Sequence, residues 1–138
     1  MGCRLVLVAV AAAALAAPSA VADLGASTPP ELTLELSPAR FRVGQGTTFT
    51  WHASEPVEVG IRIEQRVPPK RRGGKATFKR VGLILRNAPA GEGSFKFSGR
   101  VAGKGALKAG AYRAIARASD QFDNKSDATT LPFRVLAR

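Results

Sequence analysis

Between residues 31 and 138 apolar side chains recur at every second position, and that period restricts the chain to extended strands. Val57, Val59, Ile61 and Ile63 alternate with Glu58, Gly60, Arg62 and Glu64. A period of two puts the two sets on opposite faces of a strand, whereas a helix would need 3.6. The same pattern runs through Leu32, Leu34 and Leu36, through Phe49, Trp51 and Ala53, and through Phe95 and Phe97. It returns in Tyr112, Ala114, Ala116 and Ala118, set against Arg113, Ile115, Arg117 and Ser119. Thr77 to Arg86 carries Val81, Leu83 and Leu85 on one face and Phe78 and Ile84 on the other, and Thr130 to Leu136 holds Phe133 and Val135. Gly, Pro, Asn or Asp mark the joints. The alanines after Tyr112 also have high helix propensity, but their strict alternation and the preceding Gly110 favour a strand. The expected fold is all-β, an antiparallel two-sheet sandwich of about seven strands over 31–138.

The N-terminus has another character. Arg4 precedes an unbroken apolar run from Leu5 to Ala17, and Ala20-Val21-Ala22 forms a small-x-small cleavage site. This is the pattern of a secretory signal peptide over residues 1–22, followed by a short leader over 23–30. Pro18 and Ser19 break the run before the roughly 20 residues that a membrane span needs. The expected product is secreted or associated with the cell envelope, with no transmembrane anchor after cleavage. Cys3 would leave with the signal, so thiol chemistry and cysteine-ligated metal would leave with it. Only Arg4 of the 21 Lys and Arg lies in 1–22, against none of the 10 Asp and Glu. Twenty basic residues then face ten acidic ones, a formal charge of +10, which favours anionic polymers, acidic glycans or lipid headgroups.

Residues able to carry chemistry are few. His52 is the only histidine; it alternates with Trp51 and Ala53 and should face solvent, with no nucleophile motif nearby. The expectation is no enzyme, no catalytic residue and no cofactor. Asp120, Asp123, Asn124 and Asp127 offer oxygens either for calcium or for a hydrogen-bonded turn. The densest cationic segment is Arg66, Lys70, Arg71, Arg72, Lys75, Lys79 and Arg80, which contains no acid. Pro68-Pro69 stiffens its start and Gly73-Gly74 supplies a tight turn at its tip. It reads as a long hairpin between the third and fourth strands, serving either to grip phosphate or sulfate groups or to deter edge-to-edge aggregation. Phe78 is its single aromatic, too few for base stacking, so nucleic acid is a poor candidate.

The C-terminal third holds Leu107-Lys108-Ala109-Gly110-Ala111-Tyr112 and then Ala118-Ser119-Asp120-Gln121-Phe122-Asp123-Asn124-Lys125-Ser126. This resembles the L-x-P-G-x-Y … A-x-D-x-x-G-N-x-S ending of bacterial immunoglobulin-like and fibronectin type III-like modules of exported actinobacterial proteins. Ala109 stands in place of the usual Pro, and Asp123 in place of the usual Gly. The resemblance implies that Leu107 and Tyr112 build a corner into the sixth strand, with the Tyr112 hydroxyl on a loop carbonyl. It also implies that Trp51 is buried. The function expected from it is a non-enzymatic exported module that contacts an unknown protein or a cell-envelope polymer. The alternative is a binder of anionic polymers through the hairpin 66–80; the oligomeric state is left open.

Overall fold

A computed structural model of the chain describes residues 28–138, so the expected signal peptide and most of the leader lie outside the described residues. The strands are β1 (Leu32–Ser37), β2 (Arg40–Arg42), β3 (Thr47–Ala53), β4 (Val57–Val67), β5 (Thr77–Ala88), β6 (Gly91–Phe97), β7 (Arg100–Val101), β8 (Gly105–Ala106), β9 (Gly110–Ser119) and β10 (Thr129–Leu136). The seven long strands coincide with the seven alternating segments. The three additional ones, β2, β7 and β8, span two or three residues, too few to display a period.

One sheet has the order β1-β3-β6 and the other β2-β10-β9-β4-β5, with β7 and β8 forming a separate small hairpin. The pairing is antiparallel except at one place, because the first strand divides. Its leading half pairs with β3; after Pro38, which lacks a backbone donor, the chain crosses over, and β2 runs parallel to β10 with Phe41 opposite Val135. Thr47 fixes this crossover through its buried hydroxyl, which donates to the Pro38 carbonyl at 2.7 Å.

The core lies between the sheets and has two parts. Rings form a continuous series from one sheet into the other: Tyr112 stacks on Phe133 at 5.5 Å and Phe133 on Phe41 at 5.6 Å. Phe41 meets Phe97 edge-on at 6.2 Å, and Phe49 contacts Phe97 and stacks on Phe95. Trp51 closes the series against Phe95. Each ring contact adds about 0.5–1.5 kcal/mol beyond its apolar burial. The rest is aliphatic, with Val59, Ile61 and Ile63 of β4 and Ala114, Ala116 and Ala118 of β9 almost wholly buried.

Strand β5 departs from the expected face assignment. Opposite the Ile63/Glu64 step of β4 the register shifts and Val81 is left as the extra residue of a bulge. Beyond it Ile84 and Ala88 turn into the core, while Leu83 and Leu85 point outward, 42% and 52% exposed. An added residue inverts the faces on its two sides, which alternation alone does not reveal.

The corner before β9 closes as the family pattern implies. Leu107 and Tyr112 are buried, and the Tyr112 hydroxyl donates to the Lys108 carbonyl at 2.6 Å. Burial pushes the phenol pKa up. Trp51 is buried too, and its ring occupies the space over Gly93, its cross-strand partner, where a Cβ would stand 2.6 Å from the indole carbons. Gly93→Ala is therefore expected to cost about 1–3 kcal/mol by overpacking, read as a lower urea midpoint with altered Trp51 emission. Tyr112→Phe, which keeps the ring and loses the hydrogen bond, should cost about 1 kcal/mol with an unchanged urea m-value.

Candidate functional site

Buried apolar residues on alternate positions of β4, β9 and β10 force the intervening side chains onto the outer face of the five-stranded sheet, and Arg62, Arg66, Arg113, Arg117 and Arg134 are among them. Cross-strand register arranges them in rows. Arg134 of β10 lies beside Arg40 of β2, with Ala111 of β9 on its other side. In the next row Pro132 neighbours Arg113, then Glu64, then Arg80. The row after that runs Thr130, Ile115, Arg62 and Leu83, and the following one contains Arg117, Gly60 and Leu85. From Ala111 to Arg117 this surface extends six residues along β9, about 20 Å.

Glu64 organises the centre of the face. Its side chain is only 10% exposed; Oε2 accepts from Arg113 at 2.6 Å and Oε1 from Arg62 at 2.8 Å. The Arg113 guanidinium also lies over the Phe78 ring, 3.6 Å from its centroid, a cation–π contact that clamps the plane of the guanidinium. Among the described residues no carboxylate lies within ion-pair distance of Arg40, Arg66, Arg80, Arg117 or Arg134.

Two grooves indent the surface. One, of about 370 Å³, is lined by Arg40, Arg66, Arg113 and Arg134 around Phe78 and Pro132. The other, of about 420 Å³, is lined by Arg62, Arg80, Arg117 and Lys125 around Leu83, Leu85 and Ile115, with Glu58 at its margin. Each joins an apolar floor to several forked cationic donors, which pair bidentately with carboxylate, sulfate or phosphate. A further open groove at one end of the sandwich, about 510 Å³, is bounded by Pro56, Glu58 and Asp120 and has no cation in its lining.

The predicted basic hairpin is thereby divided. Arg66 and Arg80 belong to the outer face, while Lys79 pairs with Gln65 on the opposite side of the strand. Lys70, Arg71, Arg72 and Lys75 sit apart, exposed on the connecting loop, where Lys70, Arg71 and Lys75 border a separate depression with Pro68 and Pro69. A turn closes the tip, with the Gly74 amide donating to the Arg71 carbonyl at 3.0 Å. Only Gly73 of the glycine pair takes the left-handed conformation, at φ 84°.

The segment 120–127 forms a hydrogen-bonded turn, one of the two arrangements its oxygens allow. Asp120 Oδ1 accepts from the amides of Phe122 and Asn124 at 2.8 and 2.9 Å, and Oδ2 accepts from the Asn124 side chain. What desolvation the loop imposes works against the Asp120 charge, but these hydrogen bonds outweigh it and hold the carboxyl below its ordinary range. Asp123 takes φ 62° to close the loop, and Asp123 and Asp127 face outward. Among the described residues no group of three or more His, Cys, Asp and Glu gathers as a metal site. His52 lies exposed on the other sheet, opposite Thr33 and Glu92.

Sequence reasoning missed Arg40, Arg62, Arg113, Arg117 and Arg134. Their signal was present as the polar half of each alternation, Arg62-x-Glu64-x-Arg66 and Arg113-x-Ile115-x-Arg117, dispersed over the chain.

The division into β1-β3-β6 and β2-β10-β9-β4-β5 layers, with a first strand shared between them, makes this domain an immunoglobulin-like β-sandwich. No family model and no curated protein matches the chain. Among solved structures it is similar to the PKD domain of an M14-like peptidase from Thermoplasmatales archaeon SCGC AB-540-F20, at 19% identity over 79% of this chain and 94% of that one, TM-score 0.43. It is also similar to Spo0M, a sporulation control protein from Bacillus subtilis, at 10% identity over 80% of this chain and 51% of that one, TM-score 0.47. A β-glucosidase from Listeria innocua overlaps 78% of this chain with 16% of its own length, at 11% identity and TM-score 0.43. These overlaps carry neither activity nor ligand across, and the sandwich assignment rests on the strand pairing itself.

Glu64→Gln should release Arg62 and Arg113 and lower stability. Because both arginines are partly exposed, the expected loss is about 1 kcal/mol, read from the urea midpoint.

Proposed function

We propose that this chain is an exported, non-catalytic interaction module that binds an extended anionic polymer across the outer face of its five-stranded sheet. The observation that carries the reading is the set of arginines without carboxylate partners among the described residues, Arg40, Arg66, Arg80, Arg117 and Arg134, distributed over that face. A single small anion would engage one groove. A polymer with regularly spaced sulfate, phosphate or carboxylate groups would reach both, displacing counterions at several points. The apolar floors of the two grooves would accept the uncharged backbone of such a polymer. Export, expected from residues 1–22, would bring the face to cell-envelope polymers or to the acidic surface of a partner protein.

The test compares two triple variants on a sulfated polysaccharide column under a salt gradient. Arg66→Ser/Arg117→Ser/Arg134→Ser should elute at markedly lower salt and bind at least about tenfold more weakly at physiological ionic strength. Arg71→Ser/Arg72→Ser/Lys75→Ser removes equal charge from the loop and should elute near the parent. If instead the loop variant loses binding and the face variant keeps it, the hairpin tip is the site and the sheet face is not.

A further inference from the structure

The sandwich is open along one side. Strand β5 ends the five-stranded sheet and β6 ends the three-stranded one, and only Pro89 and Ala90 separate them, so both free edges border the same seam. An edge strand leaves a row of amides and carbonyls unpaired, which proteins normally protect with cations, bulges or cover. On β5 the bulge and the cover are gathered at its start, while Arg86 is the one cation further along. Lys79 and Arg80 precede the bulge at Val81, and Val101 of β7 covers Gly82, where any side chain would overlap it. From Leu83 to Asn87 neither bulge nor cover is present, and the length matches the usual strand of five or six residues.

We propose that this stretch of β5 receives an extended, acidic peptide segment of a partner protein, which adds to the sheet as a further strand. The seam is a groove of about 420 Å³. Leu83 and Leu85 supply exposed apolar surface at its margin and Phe95 lies half-buried within it. Its charged lining is Arg86, Lys96 and Arg100, with no carboxylate. The Arg86 guanidinium lies over the Phe95 ring at 4.9 Å and its Nη1 donates to the Leu85 carbonyl at 2.9 Å, so an acceptor of the open strand is met by a side chain. A carboxylate on an incoming strand would draw Arg86 off that carbonyl while main-chain pairing replaces the bond. Charge also decides between occupants. A second copy of this chain would crowd Lys79, Arg80 and Arg86 from both edges into one seam, whereas an acidic segment neutralises them. This binding mode shares Leu83 and Leu85 with one outer-face groove of the polymer reading but makes no use of Arg66, Arg117 or Arg134.

The probe is a short synthetic peptide of alternating glutamate and valine, titrated against the folded domain by fluorescence anisotropy and by amide hydrogen exchange. Slowed exchange at residues 83–87 is expected. Affinity should fall at least about tenfold in Arg86→Glu/Lys96→Glu/Arg100→Glu and clearly in Leu85→Glu, and stay near the parent value in Arg66→Ser/Arg117→Ser/Arg134→Ser. A control peptide with proline in place of valine keeps the charge but cannot pair; equal binding of this control would overturn strand addition. Binding lost in the outer-face variant but kept in the seam variants would place the peptide on the arginines and also overturn it. A dimer in sedimentation that Leu85→Lys disperses would show the seam closed by a second copy, with the same consequence.

Discussion

Everything on the outside of this domain is positioned by the rings on its inside. The series Tyr112, Phe133, Phe41, Phe97, Phe49, Phe95 and Trp51 passes from the larger sheet into the smaller one without interruption. Among the described residues there is no cysteine, so these contacts and the aliphatic block beside them take the place of a disulfide staple between sheets. Because the rings fix which face of β9 and β10 is inward, they also fix that Arg113, Arg117 and Arg134 point out. A one-residue slip would bury guanidinium groups and expose phenylalanines, so the core and the charged face are specified by the same register.

Glu64 shows how such a face is kept coherent. Crowded arginines repel one another, and a wholly cationic surface would splay its side chains into solvent. A single poorly exposed carboxylate shared by Arg62 and Arg113, with Phe78 beneath the latter, fixes two guanidinium planes near the middle, while among the described residues no carboxylate pairs with the surrounding arginines. Part of the charge is thus engaged in ordering the face, and the rest has no carboxylate partner among the described residues, so the rim positions differ from the centre in that respect. Small polar ties act likewise at the margins: Ser126 Oγ accepts from the Ala118 amide and thereby closes the end of β9.

Much of the fold was legible in the sequence, because long strands with one buried face must alternate, and β1, β3, β4, β6, β9 and β10 do so openly. What alternation could not reveal was the bulge at Val81, which exchanges the faces of β5 and leaves Leu83 and Leu85 outside. Nor could it reveal the crossover after Pro38, since Arg40–Arg42 is too short to show a period and its partner lies at the far end of the chain. The candidate site was less legible still. Clustering along the chain singled out residues 66–80, yet cations that are neighbours in sequence need not share a face. Arg40 and Arg134 do share one, and only strand register brings them together.

That crossover also has a mechanical meaning. Arg40, Phe41 and Arg42 run in the same direction as Arg134, Val135 and Leu136, one strand entered from its N-terminal side and the other left from its C-terminal side. A pull that draws residue 31 away from residue 137 therefore slides these strands along each other and loads their hydrogen bonds together, instead of opening them one after another like a zip. The stacked rings of Phe41 and Phe133 resist the same sliding motion from within. A three-residue strand that adds little area to the sheet becomes, under tension, the clasp of the domain.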